Sequence, residues 1–300
     1  MERKILRINT EDFIDGKTCV TFPRFSYRIE RNGIGHDLAE GVRSVWFRRP
    51  GKPFEFGPEA LRPNRSVVAF AENQWHAYIE GLKSIDNVFW INDPDRDHIA
   101  ENKILQLKLA TEIGLRVPKT CITNNKEEAT HFMEECGGKI VAKALSSPLI
   151  EEKERDYFVF TNCVQPFQNV NEQEFSVAPS IFQELLENKI DYRVTIIGDD
   201  YYAVRVVRES DNGVPGDWRI IKEGLKFVPS PLPRDIAGKC VKMVKKFGLV
   251  FGAIDLVCAS DEFYFLEINP NGEWAWLQKV SGLPIAETIA DCLVQGDANK

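Results

Sequence analysis

The stretch FYFLEINPNGEW, residues 263–274, decides how this chain is read. It opens as a strand, because Phe263, Tyr264, Phe265, Leu266 and Ile268 are aromatic or branched. Yet Glu267 and Asn269 stand in its last three positions, directly before a Pro-Asn-Gly turn. Side chains alternate across a strand, so Glu267 and Asn269 are expected on one face, with Phe265 below them. Asp255 lies in the preceding run AIDLV, among apolar neighbours, where a lone carboxylate is costly to bury. Hairpin pairing through the turn Ala-Ser-Asp-Glu would bring Asp255 near Glu267 and Asn269. Two carboxylates and one amide oxygen form a hard, all-oxygen set suited to Mg²⁺, which keeps some waters and shares substrate phosphates. The competing reading is two separate surface carboxylates at strand ends.

Composition bounds what surrounds this motif. Three hundred residues exceed one ordinary core, which predicts two or three subdomains. The apolar share of 43% and charged share of 28% are those of a soluble globular chain. A net charge of −7 argues against non-specific nucleic-acid binding. The longest apolar run, GLVFGAIDLVCA, is too short to span a bilayer and contains Asp255. No secretory signal opens the chain, and no membrane partner is expected. The seven cysteines are scattered without a CxxC pair, which suits free thiols in a reducing cytoplasm.

Three blocks are expected: 1–97, 98–187 and 188–300. The first holds strand-like runs (KILRINT, SVWFRRP, NVFWIND) and a helix around SVVAFAENQWHAYIEGL. A helix over 98–113 follows the capping cluster NDPDRD and stops at Gly114. EEATHFMEECGG reads as a helix stopped by two glycines. KIVAKAL and DYFVFTNCV are strands flanking the polar segment SSPLIEEKER. The last third runs strand, charged bend, strand, GDD turn, strand, then an amphipathic helix, the hairpin and a closing helix from Pro284.

A Mg²⁺ site of this type implies a nucleotide. No GxxxxGK[ST] occurs, and GIGHDLAEG lacks the third glycine of a dinucleotide fingerprint. GxSxG and HExxH are absent, and the four histidines fall into no metal spacing. Cations on strands remain: Lys143 in VAKAL, then Arg193, Arg205 and Arg219. Each taken singly could be a snorkelling side chain. Taken with the acidic set, they suggest a phosphate site.

These residues carry a resemblance. A lysine before the lid, a lysine on a lid strand, QELL, DYR, AID and LEIN resemble the ATP-grasp superfamily of carboxylate–amine ligases. More closely, the chain resembles the ATP-grasp maturases of graspetides, the microviridin-type ribosomal peptide macrocyclases. The shared pieces are INTEDF (8–13), VWFRRP (45–50), NKILQLKLATEIGLRVPKT (102–120), FTNCV (160–164), DYRVTIIGD (191–199), DWR (217–219) and EINPNGEWAWLQ (267–278). They span almost the whole chain, and VWFRRP and NPNGEWAWLQ are more specific than LEIN.

The resemblance implies an α/β ATP-grasp fold: a reduced N-terminal α/β domain, a central lid and peptide-binding domain, and a C-terminal antiparallel-sheet domain. It implies that Lys103 and Lys143 contact ATP phosphates, that Glu184 and the backbone of Leu186 read the adenine edge, and that Asp191 holds the ribose hydroxyls. Arg193 and Arg219 would bind the transferred phosphoryl group or the acyl phosphate, with Arg205 the third candidate catalytic arginine. Asp255, Glu267 and Asn269 would hold two Mg²⁺ ions. It also implies a homodimer and a partner peptide with a leader and a core rich in acidic and hydroxyl side chains.

Two departures stand out. The lid segment SSPLIEEKER lacks the glycines common there. Relatives begin with a further strand–helix pair before the segment matching ILRINTEDF, so the N-terminal domain is reduced or the start lies upstream. Trp274 and Trp276 are either packing for the last helix or a wall for the peptide. Of Arg48 and Arg49, which alternate faces, one is expected to be structural. The expected activity is ATP-dependent phosphorylation of an Asp or Glu side chain in a ribosomal peptide, then ring closure by a Ser/Thr hydroxyl or Lys amine. The alternatives are a ligase adding a free amino acid to a protein or peptide carboxylate, and a non-catalytic nucleotide-gated peptide binder.

Overall fold

The computed structural model describes residues 4–15, 17–31, 33–51, 53–54, 62–64, 66–146, 149–150, 157–158, 161–208, 217–221 and 223–298. The chain divides into two compact units, Met1–Asp95 with Ile289–Lys300, and Arg96–Thr288.

The first unit runs α1 (Asp12–Asp15), β1 (Lys17–Thr21), β2 (Ser26–Arg31), β3 (Ile34–Asp37), α2 (Leu38–Gly41), β4 (Ser44–Trp46), α3 (Val68–Glu80) and β5 (Phe89–Ile91). Strands β1, β2 and β3 form an antiparallel meander, while β4 and β5 pair in parallel. The core packs Phe13, Tyr27, Ile29, Leu38 and Ile79 with Trp75 and Tyr78. KILRINT is not a strand: among the described residues, 4–9 join no sheet. The meander at 17–37 lies where no strand was expected.

The second unit begins in α4 (Pro94–Ala100) and continues through α5 (Lys103–Glu112), β6 (Thr120–Thr123), α6 (Lys126–Glu135), β7 (Ile140–Lys143), β8 (Leu149–Ile150), β9 (Tyr157–Phe158), β10 (Asn162–Cys163), α7 (Glu172–Phe175) and β11 (Ser180–Glu184). The single helix expected over 98–113 is two. The Asn102 side chain accepts from the Leu105 amide and starts α5 afresh, because such a cap competes with continuous helix. Helix α6 ends at Gly137 and Gly138, both with positive φ, as the double glycine predicts. The antiparallel sheet β10-β7-β11-β6 follows. Most of the lid segment SSPLIEEKER lies outside the described residues.

Then come β12 (Ile190–Ile197), β13 (Asp200–Arg208), β14 (Leu225–Pro229), α8 (Arg234–Lys246), β15 (Phe251–Ala259), β16 (Glu262–Asn269), α9 (Ala275–Ser281) and α10 (Ile285–Ala298). The strands form one antiparallel sheet in the order β14-β13-β12-β15-β16. Helix α8 places Ala237, Cys240, Met243 and Val244 against Val194, Ile196, Ala203, Ile254 and Leu256 on one face of this sheet. The β15–β16 hairpin turns at Ser260 and Asp261, both left-handed, as the Ala-Ser-Asp-Glu reading requires.

One irregularity sets the rest. Asp255 pairs with Glu267 but Leu256 pairs with Phe265, so Leu266 is an extra residue in β16. Phe265 and Ile268 therefore both join the α8 core. Phe265 does not lie below Glu267, as strict alternation suggested. The bulge separates the two, and sends Glu267 and Asn269 to the face opposite α8.

Candidate active site

That opposite face is where charge gathers. Arg193 on β12 pairs with Asp255 on β15, and Asp255 pairs with Glu267 on β16, so the three side chains form a row across three strands. Arg193 Nη1 donates to Asp255 Oδ1 at 2.8 Å. Lys103 Nζ, from the first turn of α5, stands 3.4 Å from Glu267 Oε2 and donates to the Ala144 carbonyl at 3.0 Å. Arg219 Nη1 approaches Glu267 Oε1 at 3.5 Å. Asp255, Glu267 and Arg193 are largely buried, while Arg219 is about half exposed.

The electrostatics follow from this crowding. Burial pushes Glu267 up, but Lys103, Arg219, Lys143 and Arg193 outweigh it and hold the carboxyl below its usual range. Asp255 goes the other way: burial and the Glu267 charge raise it more than Arg193 lowers it. Lys143, at the end of β7, donates to Gln183 Oε1 at 2.7 Å. Burial is the main cause of its fall to about 8; Glu267 opposes the fall, and Lys103 and Arg219 add to it. Asp191 lies two residues before Arg193 on the same strand face and takes both contacts of Lys189 Nζ, at 2.6 and 2.5 Å. Burial lifts it to about 6 against that partner.

Several of these residues escaped the sequence reading. Lys189 had a signal, since Lys-x-Asp-x-Arg alternates along one strand face. Asp217 also had one, two residues before Arg219 in DWR. Its carboxylate takes Nε and Nη2 of Arg219, both at 2.9 Å, in a bidentate fork. Gln183 had none: it is a buried strand glutamine whose Nε2 donates to Thr120 Oγ1 at 3.0 Å, which turns its oxygen toward Lys143. Gly272 ends the Pro-Asn-Gly turn because a Cβ there would lie 2.3 Å from Ala253 Cβ and 2.7 Å from Arg193 Nη2.

The candidates do not all meet. Lys103, Lys143, Arg193, Arg219, Asp255 and Glu267 interact around one centre, and Asn269 shares the face of Glu267. Glu184 and Leu186 lie at the end of β11 and beyond it, where Glu184 Oε1 accepts from the Lys119 amide at 2.9 Å. Arg205 is placed elsewhere. It pairs with Tyr192, and β12 and β13 run in unbroken register, so it stands on the α8 side of the sheet, opposite Arg193. It is not part of the charged row.

The donor set fits Mg²⁺. Among the described residues no group of three or more His, Cys, Asp or Glu is placed to hold a metal. Two carboxylates and one amide leave coordination positions for water and phosphate, as Mg²⁺ prefers. Arg193 adds a buried Nε–H without an acceptor, a donor surplus that suits an anion-rich ligand.

Comparison with known proteins agrees with this chemistry. Residues 100–293 match the RimK-like ATP-grasp domain. The tetrahydromethanopterin:alpha-L-glutamate ligase of Methanocaldococcus jannaschii is 22% identical over 217 residues, 68% of this chain and 70% of that protein. A RiPP-associated ATP-grasp ligase of Chryseobacterium gregarium, solved with ADP and a leader and core peptide, superposes with a TM-score of 0.84 at 28% identity, covering 97% of this chain and 88% of its own. The macrocyclase MdnC of Microcystis aeruginosa, bound with its precursor peptide MdnA, superposes with a TM-score of 0.83 at 27% identity, covering 97% and 90%. Because this match covers more than half of the chain, the chain belongs to the RimK-like ATP-grasp family, and it is an ADP-forming ligase that uses ATP with Mg²⁺.

Proposed function

We propose that this protein is a peptide macrocyclase. It phosphorylates Asp or Glu side chains of a ribosomal precursor peptide with ATP and closes rings onto Ser/Thr hydroxyls or Lys amines of the same peptide. The observation that carries this is the superposition of nearly the whole chain on two peptide-bound ligases above a quarter identity. In this reading the chain from 98 to 187 is the lid and peptide-binding domain, 188–300 carries the chemistry, and 1–97 precedes both. The leader seats on the middle block, and the dimer rests on the family resemblance alone.

Lys103 and Lys143 hold the nucleotide phosphates, Glu184 and the Leu186 backbone the adenine, and Asp191 the ribose. Asp255, Glu267 and Asn269 hold Mg²⁺, which when bound neutralises charge on the phosphate oxygens. Arg193 and Arg219 face the phosphoryl group in transfer, where planar guanidinium forks bind paired oxygens. The side-chain carboxylate attacks the γ-phosphorus and ADP leaves. The hydroxyl or amine then attacks the acyl carbon and phosphate leaves, taking one carboxylate oxygen with it. Holding both groups of one peptide makes this second step effectively unimolecular.

The test combines mass spectrometry with nucleotide analysis. Each bond formed should remove one water from the peptide and release one ADP and one phosphate. Oxygen-18 in the acidic side chain should appear in that phosphate. Label retained wholly in the peptide, or release of AMP and pyrophosphate, would overturn the acyl-phosphate route. The matched glutamate ligase favours a second reading, addition of a free amino acid to a carboxylate. In that case the substrate would gain a residue's mass instead of losing water.

A further inference from the structure

The metal candidates Glu267 and Asn269 lie on β16, which is an edge strand of its sheet. Edge strands present unpaired peptide groups and slip more readily than central ones. Ile268, between the two candidates, does not leave its groups unpaired. Its N–H donates to Gln106 Oε1 at 3.0 Å, and its carbonyl accepts from Gln106 Nε2 at 2.9 Å. The same Nε2 donates to the carbonyl of Ala100, at the end of α4, at 2.6 Å. One side-chain amide thus stands in for a neighbouring strand at that single residue. Its orientation is fixed, because an amide N–H needs the oxygen and two carbonyls need the nitrogen.

Gln106 is 2% exposed. It lies three residues after Lys103 on α5, so one short helix carries both the lysine beside Glu267 and the pin on the strand that bears Glu267. Beyond β16, Asn271 Nδ2 donates to Asp97 on α4 at 2.8 Å, a second tie from the same helical pair to the following turn. We propose that Gln106 is a positioning residue for the Mg²⁺ ligands. It fixes the edge strand at Ile268, so that Glu267 and Asn269 are presented together at a set distance from Lys103. The proposal rests on the metal-site reading above and deepens it.

The test uses Gln106→Met, which keeps volume and loses all three bonds, and Gln106→Asn, which keeps the amide one methylene short. Val244→Ala, in the α8 core, serves as a control for general destabilisation. The readouts are Mn²⁺ binding to the full chain with ADP, followed by electron paramagnetic resonance, and amide hydrogen exchange across 262–269. Gln106→Met should weaken Mn²⁺ binding by about 10- to 100-fold and raise exchange at Ile268. ADP binding without metal should change by less than about threefold. Should the Met variant fail to fold, the Asn variant is read in its place. Unchanged Mn²⁺ affinity alongside a weakened Glu267→Gln overturns the proposal alone, and so does an equal loss in Val244→Ala. Unchanged Mn²⁺ affinity in Glu267→Gln removes the metal site itself, and the proposal with it.

Discussion

Arg193 and Asp255 face each other across β12 and β15, and a 2.8 Å hydrogen bond joins them at the centre of the sheet. Each is largely buried, so neither charge tolerates loss of the other. Breaking such a pair from one side typically costs about 3–5 kcal/mol, because an uncompensated charge remains. Arg193→Met should therefore lower the free energy of unfolding by roughly that amount, read by denaturant titration. A loss below about 1 kcal/mol would mean that the pair contributes little to stability.

Asp255→Asn and Glu267→Gln should each cut ATP turnover at least about a hundredfold; circular dichroism should show both still folded, with Asp255→Asn the less stable because Arg193 loses its partner. Each removes one anionic oxygen and keeps the shape. Near-normal turnover in both would remove these carboxylates from the metal site.

Lys143 provides a pH signature. With its ammonium lowered to about 8, the free enzyme loses this charge above that pH, and nucleotide phosphates should draw the proton back. ADP binding should take up a proton near and above pH 8, and affinity should fall as pH rises through that range. Lys143→Met should flatten both effects in calorimetry carried out in buffers of different ionisation enthalpy. In the free protein the sign is opposite: between about 8 and 10.5 the unfolded chain holds a proton that the folded chain has shed. This group's contribution to stability therefore rises with pH across that window.

Gly272→Ala should be damaging although its backbone is not left-handed. The new methyl meets Ala253 and Arg193 far inside contact distance, which forces the turn to move. A displacement of about 1 Å can cost on the order of a hundredfold in rate. The double variant with Ala253→Gly, which relieves the tighter clash, should recover part of that loss in a turnover assay. No recovery would place the damage elsewhere.

Arg205 and Arg219 should separate cleanly. Arg219→Met should reduce turnover at least about a hundredfold. Arg205→Met, on the α8 side of the sheet, should change it by less than about threefold. Equal losses would contradict the facing read from the strand register.

The sequence revealed the hairpin because Phe, Tyr, Leu and Ile flank two polar residues and the Ala-Ser-Asp-Glu turn precedes them. It revealed Lys143, Arg193 and Arg219 because charge in an apolar or turn context needs a partner, whereas Lys103 came from the family resemblance. The facing of Phe265 and Arg205 was not legible, since a bulge and a distant pairing register decide it. Gln106 and Gln183 carry no charge, and their roles depend on backbone carbonyls and amides brought close only by folding. The 17–37 meander was overlooked because its strands are short and half polar, with Lys17, Arg28 and Glu30 facing outward.

A strand is a wave of period two, and the extra Leu266 is a half-period phase slip within it. Upstream of the slip the odd-numbered residues Phe263 and Phe265 are core, and downstream the odd-numbered Glu267 and Asn269 are chemistry. Pairing the same sequence without the bulge, with Leu266 opposite Asp255, would keep unbroken phase and drive Glu267 and Asn269 into the apolar interior beneath α8. Anyone grafting this motif onto another scaffold must therefore transplant the slip together with the ligands. Alignments that close the gap at 266 would swap catalytic and core positions without changing a single amino acid.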